Sequence, residues 1–362
     1  MGVALATRLQ PISGPSAWRG DRLEQDTSWI YQFTLAQLAE IERVGKRFLT
    51  DDPDLRTVRA ADYPMPELKG AFERWAADLD RGRGFVLARG LPTGFYSDAL
   101  SASIFFLLGL HMGDPMKQNE LGDVFDHVLA TSDKMTSDPT AIASRTRDHL
   151  NYHSDSSDVV ALLCLRAAKA GGASSLISGA ALYNEVLKAR PDLAPLMFEP
   201  WCYDWRRQDP SAPRSYYSSP MCSHVDGVFS MYAGSRIIRT AQDYPETPRL
   251  SGEQLELLDL LDALCRQPGL ALSMDFRPGD IQWALNYAVL HSRTAYEDHE
   301  VQGKKRHLMR LWLKRDVKRP LVANFGKHVV KGRTEFRDGS GGLGRYRITD
   351  ACHPRVLWED AD

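Results

Sequence analysis

The sequence is short of cysteine, and what cysteine it has is scattered. Cys164, Cys202, Cys222, Cys265 and Cys352 are odd in number and form no CxxC pair. Neither a thiolate zinc site nor a disulfide framework is therefore indicated. There is no excess of charge of one sign. The formal net charge is -2, with acids and bases interspersed, so the basic face of a nucleic-acid binder is missing. Long apolar runs are absent too. Ile104 to Leu108 and Val159 to Leu165 are far too short to span a bilayer. The opening MGVALATRLQPISG has no apolar stretch of signal-peptide length. A cytoplasmic protein with a small-molecule substrate, without membrane or nucleic-acid partners, is expected. No internal repeat, low-complexity tract or proline- or serine-rich linker divides the chain.

What is present is enough apolar material for a substantial core: 362 residues, 43% of them hydrophobic. Residues 1–26, rich in glycine, proline, serine and charge, read as an extended lead-in. Thr34 followed by Gln37 fits a capping box, and LAQLAEIERVGKRFL continues at helical spacing. Further helices are predicted over Pro66 to Asp80 and Ser97 to Leu110, with a buried strand in GRGFVLARGLP between them. From Gly113 the texture changes to short apolar stretches between turn residues. These include DVVALLCLRAA, ASSLISGA, IQWALNYAVLHS and RHLMRLWLK. Such spacing predicts an antiparallel barrel or sandwich, with helical insertions at Ala181 to Arg190 and Ser251 to Arg266. The expected organisation is one overall domain. Its lead-in and helices, 1–81, pack on a mainly β core and C-terminal tail, 82–362.

The chemistry concentrates around His153-Ser154-Asp155, just before the strand Asp158 to Leu165. Residues two apart in extended chain point to one face, so an imidazole and a carboxylate are presented together. His291, in the apolar stretch WALNYAVLH, is the best third ligand. Two histidines and one carboxylate form a facial triad that leaves three coordination positions open. Iron(II) needs those positions for a bidentate co-substrate and dioxygen. An isolated H-x-D is unspecific and is commonly a surface turn. His149 precedes His153 by four, a helical ligand spacing in a segment that reads as extended.

Arg306 and Arg310 lie four apart on KRHLMRLWLK and share one strand face. A guanidinium is suited to bidentate recognition of a carboxylate, and two inward arginines need strong acceptors. Gly171-Gly172 permits a tight turn after which Ser174 enters the next strand, where its hydroxyl can assist Arg306.

In this order, GRGFVLARGLP, LGLHMGDP with QNELGDVFDHV, YHSDSSDVVALLCLRAAKAGGASS, RPGDIQWALNYAVLHSRTAYEDH and KRHLMRLWLK resemble the taurine dioxygenase/TfdA-like family. These are iron(II)/2-oxoglutarate oxygenases, and their superfamily includes clavaminate-synthase-like enzymes. The resemblance runs from about Gly82 to Lys314. It implies a double-stranded β-helix, or jelly-roll, core with flanking helices, and iron ligands at His153, Asp155 and His291. Arg306 matches the arginine gripping the far carboxylate of 2-oxoglutarate, and Ser174 the hydroxyl beside it. Arg310 matches an arginine that meets an acidic group of the substrate in several members.

Two departures are visible. A few extra loop residues fall at Asp298 to Lys304. MKQNELG, with Gln118 and Asn119, replaces the family's taurine-binding histidine region. Substrate contacts are expected from Arg310, Gln118, Asn119 and a lid over Trp201 to Tyr217. Keeping Asp155 resembles the hydroxylating branch; desaturation and ring closure use the same ligands. A homodimer is also implied. The rival readings are a non-catalytic cupin-like binding protein and a zinc hydrolase on the same three residues.

Overall fold

The computed structural model describes residues 9–118, 123–135, 142–205, 212–326 and 347–348. Asn119, Arg206, Arg207 and the glycine cluster at 339–344 lie outside the described residues.

The helical layer forms where the capping signals place it. Thr34 Oγ1 accepts from Gln37 N and Gln37 Oε1 accepts from Thr34 N, opening helix Leu35–Asp51. Gly45 lets this helix approach Asp98–Met112 closely: a Cβ there would stand 2.6 Å from Ile104 Cγ1. Asp98–Met112 is capped by Ser97 and buried almost all round. The expected helix at Pro66 starts as a 3-10 turn, Pro66–Leu68, and continues as Lys69–Arg81. Its Trp75 stacks on Trp283 of the sheet with ring centres 6.0 Å apart. The lead-in contains a one-turn helix, Gly20–Leu23. Among the described residues, no helix is long and apolar enough to cross a membrane.

The result is an α+β structure with a mainly sheet core. A seven-stranded sheet runs Ile30–Gln32, Phe85–Arg89, Ile281–Leu285, Val159–Arg166, His307–Lys314 and Asp114–Pro115, with Phe125–Val128 also paired to His307–Lys314. Only its first pair is parallel. A four-stranded antiparallel sheet runs Leu272–Met274, Ser174–Ser178, Val289–Arg293 and Leu150–His153. One hydrophobic cluster joins the N-terminal helices to the larger sheet. A second gathers helices Gly179–Ala189 and Gly252–Leu264 with the ribbon Pro200–Asp204/Tyr216–Pro220.

One expected element is corrected. IQWALNYAVLHS is two strands, not one: Ile281–Leu285 belongs to the large sheet and Val289–Arg293 to the small one. A tight turn, in which Ala288 N donates to Leu285 O, carries the chain between them. Every residue of both strands is buried, so hydrophobic pattern alone hides the turn. His291 therefore sits in the middle of a short strand.

Candidate metal centre

His153 and His291 are register partners across the antiparallel pair Leu150–His153/Val289–Arg293. Directly opposed residues project to one face, and the two imidazole centres lie 4.3 Å apart. Asp155 follows the end of its strand. Its backbone is held in a turn by Asn286, whose Oδ1 accepts from Asp155 N at 2.9 Å. The same amide donates to Ser157 O and Ser157 Oγ, so a residue of the inter-sheet turn clamps the 155–157 segment. Ligand atoms of His153, Asp155 and His291 lie within 4.8 Å of one another. No other group of three or more potential metal ligands occurs among the described residues.

The protonation states suit a divalent cation. His153 Nδ1 donates to Asn151 O at 2.8 Å, which fixes the ring with Nε2 turned to the site, 3.9 Å from Asp155 Oδ1. Burial, with His153 alongside, pushes the His291 imidazole down to about 3, so it is neutral. Burial alone would raise the Asp155 carboxyl. Arg310, with the Trp312 N–H, favours the ionised form and keeps the group below its ordinary range. Two imidazoles and one carboxylate, all buried or half-buried, are a donor set for iron(II) with open positions.

Around the carboxylate, Trp312 Nε1 donates to Asp155 Oδ2 at 2.9 Å and Arg310 Nη1 lies 3.3 Å from the same oxygen. Arg310 is heavily engaged. Its Nε donates to Gln118 Oε1 and its Nη2 to Asp126 Oδ2, both at 2.8 Å. Asp126 also accepts from Arg145. Gln118 is buried, and its Nε2 donates to Val124 O and Arg310 O. Gln118 thus braces Arg310.

Arg306 lies just before strand His307–Lys314 and is only 4% exposed. Gly172, at φ +73°, allows its passage: a Cβ there would meet Arg306 Nε at 3.0 Å. The guanidinium packs 5.0 Å from the centre of the Tyr296 ring, and its Nη1 has no acceptor. Ser174 is buried and donates to Gln282 Oε1 at 2.8 Å, while Gln282 Nε2 is left without a partner. A buried cation and a buried amide thus each keep N–H capacity that no protein acceptor uses.

The aromatics of the expected lid are core. Trp201, Tyr203 and Tyr217 are buried in the ribbon, and Trp205 packs on Tyr217. Tyr152 bonds Ser175, and His149 is exposed. Sequence reasoning missed Trp312, Asn286, Asp126, Gln282, Arg293 and Tyr296. Trp312 is two residues beyond Arg310 and Arg293 two beyond His291, so strand alternation alone could have placed them. Asn286 carried no such signal.

Residues 52–312 match the family described as "Taurine catabolism dioxygenase TauD, TfdA family". FR-33289 synthase of Streptomyces rubellomurinus (strain ATCC 31215) is 28% identical over 332 residues, covering 88% of this chain and 95% of that protein. The taurine hydroxylase-like protein SAT17 of Stachybotrys chartarum (strain CBS 109288 / IBT 7711) is 25% identical over 311 residues, 83% of this chain and 79% of its own length. Among solved structures, an asparagine oxygenase with Fe(II), 2S,3S-3-hydroxyasparagine and succinate aligns with a TM-score of 0.60 at 17% identity. It covers 79% of this chain and 93% of its own. The non-heme iron oxygenase OrfP with Fe and alpha-ketoglutaric acid aligns with a TM-score of 0.56 at 15% identity, covering 79% and 94%.

Proposed function

Because the chain belongs to the TauD/TfdA dioxygenase family, we propose that it hydroxylates an unactivated C–H bond of a small anionic, amino-acid-like metabolite. The enzyme is a 2-oxoglutarate-dependent dioxygenase using iron(II) and O2. The observation that carries the residue assignment is the convergence of His153, Asp155 and His291 from two strands and one turn. On this reading the large and small sheets are the two halves of a double-stranded β-helix, and the residues that would hold the metal lie on the small sheet and just beyond its strand Leu150–His153.

Bound there, iron(II) supplies the oxidation of substrate by O2, with 2-oxoglutarate consumed to succinate and carbon dioxide. This chain's residues bind, orient and exclude water. His153, Asp155 and His291 hold the metal, and Trp312 and Arg310 fix the carboxylate's orientation. Arg306 grips the far carboxylate of 2-oxoglutarate, with Ser174 and Gln282 beside it, and so sets where its chelating end lies. Three of Arg310's five N–H groups are taken by Gln118, Asp126 and Asp155, and the other two can meet an acidic substrate group. An amino-acid-like substrate is supported by the 3-hydroxyasparagine in the asparagine oxygenase and by the (3S)-hydroxy-L-Arg bound to an OrfP variant of similar fold.

The test begins anaerobically. Iron(II) with 2-oxoglutarate should give a weak visible charge-transfer band, and admitting O2 with substrate should release succinate. A screen of small anionic metabolites by succinate release identifies the substrate. No band in the full chain would overturn the assignment. Arg306→Ala should raise the 2-oxoglutarate requirement far more than Arg310→Ala, and the reverse order would exchange their roles.

A further inference from the structure

The surroundings of Arg306 hold one more buried cation than this reading uses. Arg293 is two residues beyond His291, so its side chain leaves the strand on the His291 face. Its Cα is the register partner of Ser174. Arg293 is as deeply buried as Arg306, at 4% exposed. Its Nη2 donates to Thr146 O at 2.9 Å and also to Asp148 O. Its Nε and Nη1 have no acceptor. The guanidinium carbon lies 4.8 Å from the centre of the same Tyr296 ring that Arg306 approaches.

Burial lowers the pKa of both guanidiniums and outweighs the attraction that Asp148 exerts on Arg293 and Asp298 on Arg306. Asp298 accepts the backbone N–H of Arg306 on Oδ1 and leaves Oδ2 unused. Asp148 is half-buried and accepts the backbone N–H of His149. Two buried guanidiniums flank one aromatic ring, with Arg293 Nε, Arg293 Nη1, Arg306 Nη1 and Gln282 Nε2 all unsatisfied. Like charges so placed repel, and each unmade bond on a buried cation is costly. An anion entering between them and Ser174 relieves both penalties. A tyrosine ring beside two guanidiniums adds attraction for each but supplies no charge.

We infer that Arg293 is a second determinant of the co-substrate's far carboxylate, working with Arg306 around Tyr296. The inference rests on the 2-oxoglutarate reading above and assigns that carboxylate a two-arginine environment. The competing role for Arg293 is purely structural: its Nη2 pins the carbonyls of Thr146 and Asp148, upstream of the strand that ends at His153.

The two roles separate by ligand, not by stability. The full chain, loaded anaerobically with iron(II), is titrated with 2-oxoglutarate and with 2-oxopentanoate. The latter carries a methyl where the far carboxylate would be. The visible band and calorimetry read binding for the natural chain, Arg293→Gln and Arg293→Lys. The natural chain should prefer 2-oxoglutarate. Arg293→Gln should shrink that preference by roughly tenfold or more while 2-oxopentanoate binding changes little. Arg293→Lys, which keeps the charge, should retain part of it. Equal weakening of both keto acids in Arg293→Gln, or an unchanged preference in both variants, would overturn the inference. A natural chain that gives no band with either keto acid would instead defeat the underlying co-substrate assignment.

Discussion

At the scale of single residues, the centre depends on groups that never touch a metal. Trp312 Nε1 and Arg310 both address Asp155 Oδ2, leaving Oδ1 toward His153. Trp312→Phe keeps an aromatic ring in a buried position but removes the donor. Iron(II) affinity should fall by roughly 10- to 100-fold, read by anaerobic calorimetry, with the far-UV spectrum unchanged. Unchanged affinity would mean Arg310 suffices. Gly172 is the second such residue. Its φ of +73° is a left-handed conformation, and Arg306 passes where a side chain would stand. Gly172→Ala should cost about 1–2 kcal/mol of stability by denaturant titration and weaken 2-oxoglutarate binding as well. Destabilisation without a change in 2-oxoglutarate affinity would show that Arg306 tolerates being displaced. Of these residues, Gly172 and Arg306 were legible as a turn and an inward cation. The role of Trp312 was not, because nothing in the local pattern says which carboxylate an indole will find.

At the scale of elements, the turn between Ile281–Leu285 and Val289–Arg293 does two things. It moves the chain from one sheet to the other, and its Asn286 holds the segment carrying Asp155. Asn286→Ala leaves the buried N–H of Asp155 without its acceptor and frees Ser157. The expected loss is about 1–3 kcal/mol in denaturant unfolding, together with weaker iron binding. Metal affinity at the natural level in that variant would show that the turn holds its shape unaided. A change at the Thr34 cap provides the contrast. Thr34→Ala should destabilise by about 1 kcal/mol and leave iron and 2-oxoglutarate binding unchanged, because helix Leu35–Asp51 packs on the side of Asp98–Met112. The helices were readable because caps and 3.6-residue periodicity are local. The two strands within IQWALNYAVLHS were not, because a turn between two fully buried strands interrupts no hydrophobic pattern.

At the scale of the whole molecule, metal binding and folding are linked. The three ligands come from positions 153, 155 and 291, so the site exists only when the small sheet is assembled. At about 100 times its Kd, iron(II) should add about 2.7 kcal/mol to the unfolding free energy, visible as a rise in Tm that a chelator reverses. Asp155→Ala should abolish the rise, and a variant that kept it would place the stabilising metal elsewhere. The sequence alone determined which residues are candidates: the H-x-D pair, a histidine in a buried strand, two arginines on one face and a glycine turn. These follow from spacing of two in extended chain, which is a property of the backbone. Tertiary structure decided which of them meet. Pairing of His291 with His153 and the indole on Asp155 join residues far apart in the chain, and the packing of Arg293 and Arg306 against one tyrosine depends on how the loop between them folds back. Such contacts are selected by how the sheets pack and which buried polar groups find partners, and no short window of sequence encodes that choice.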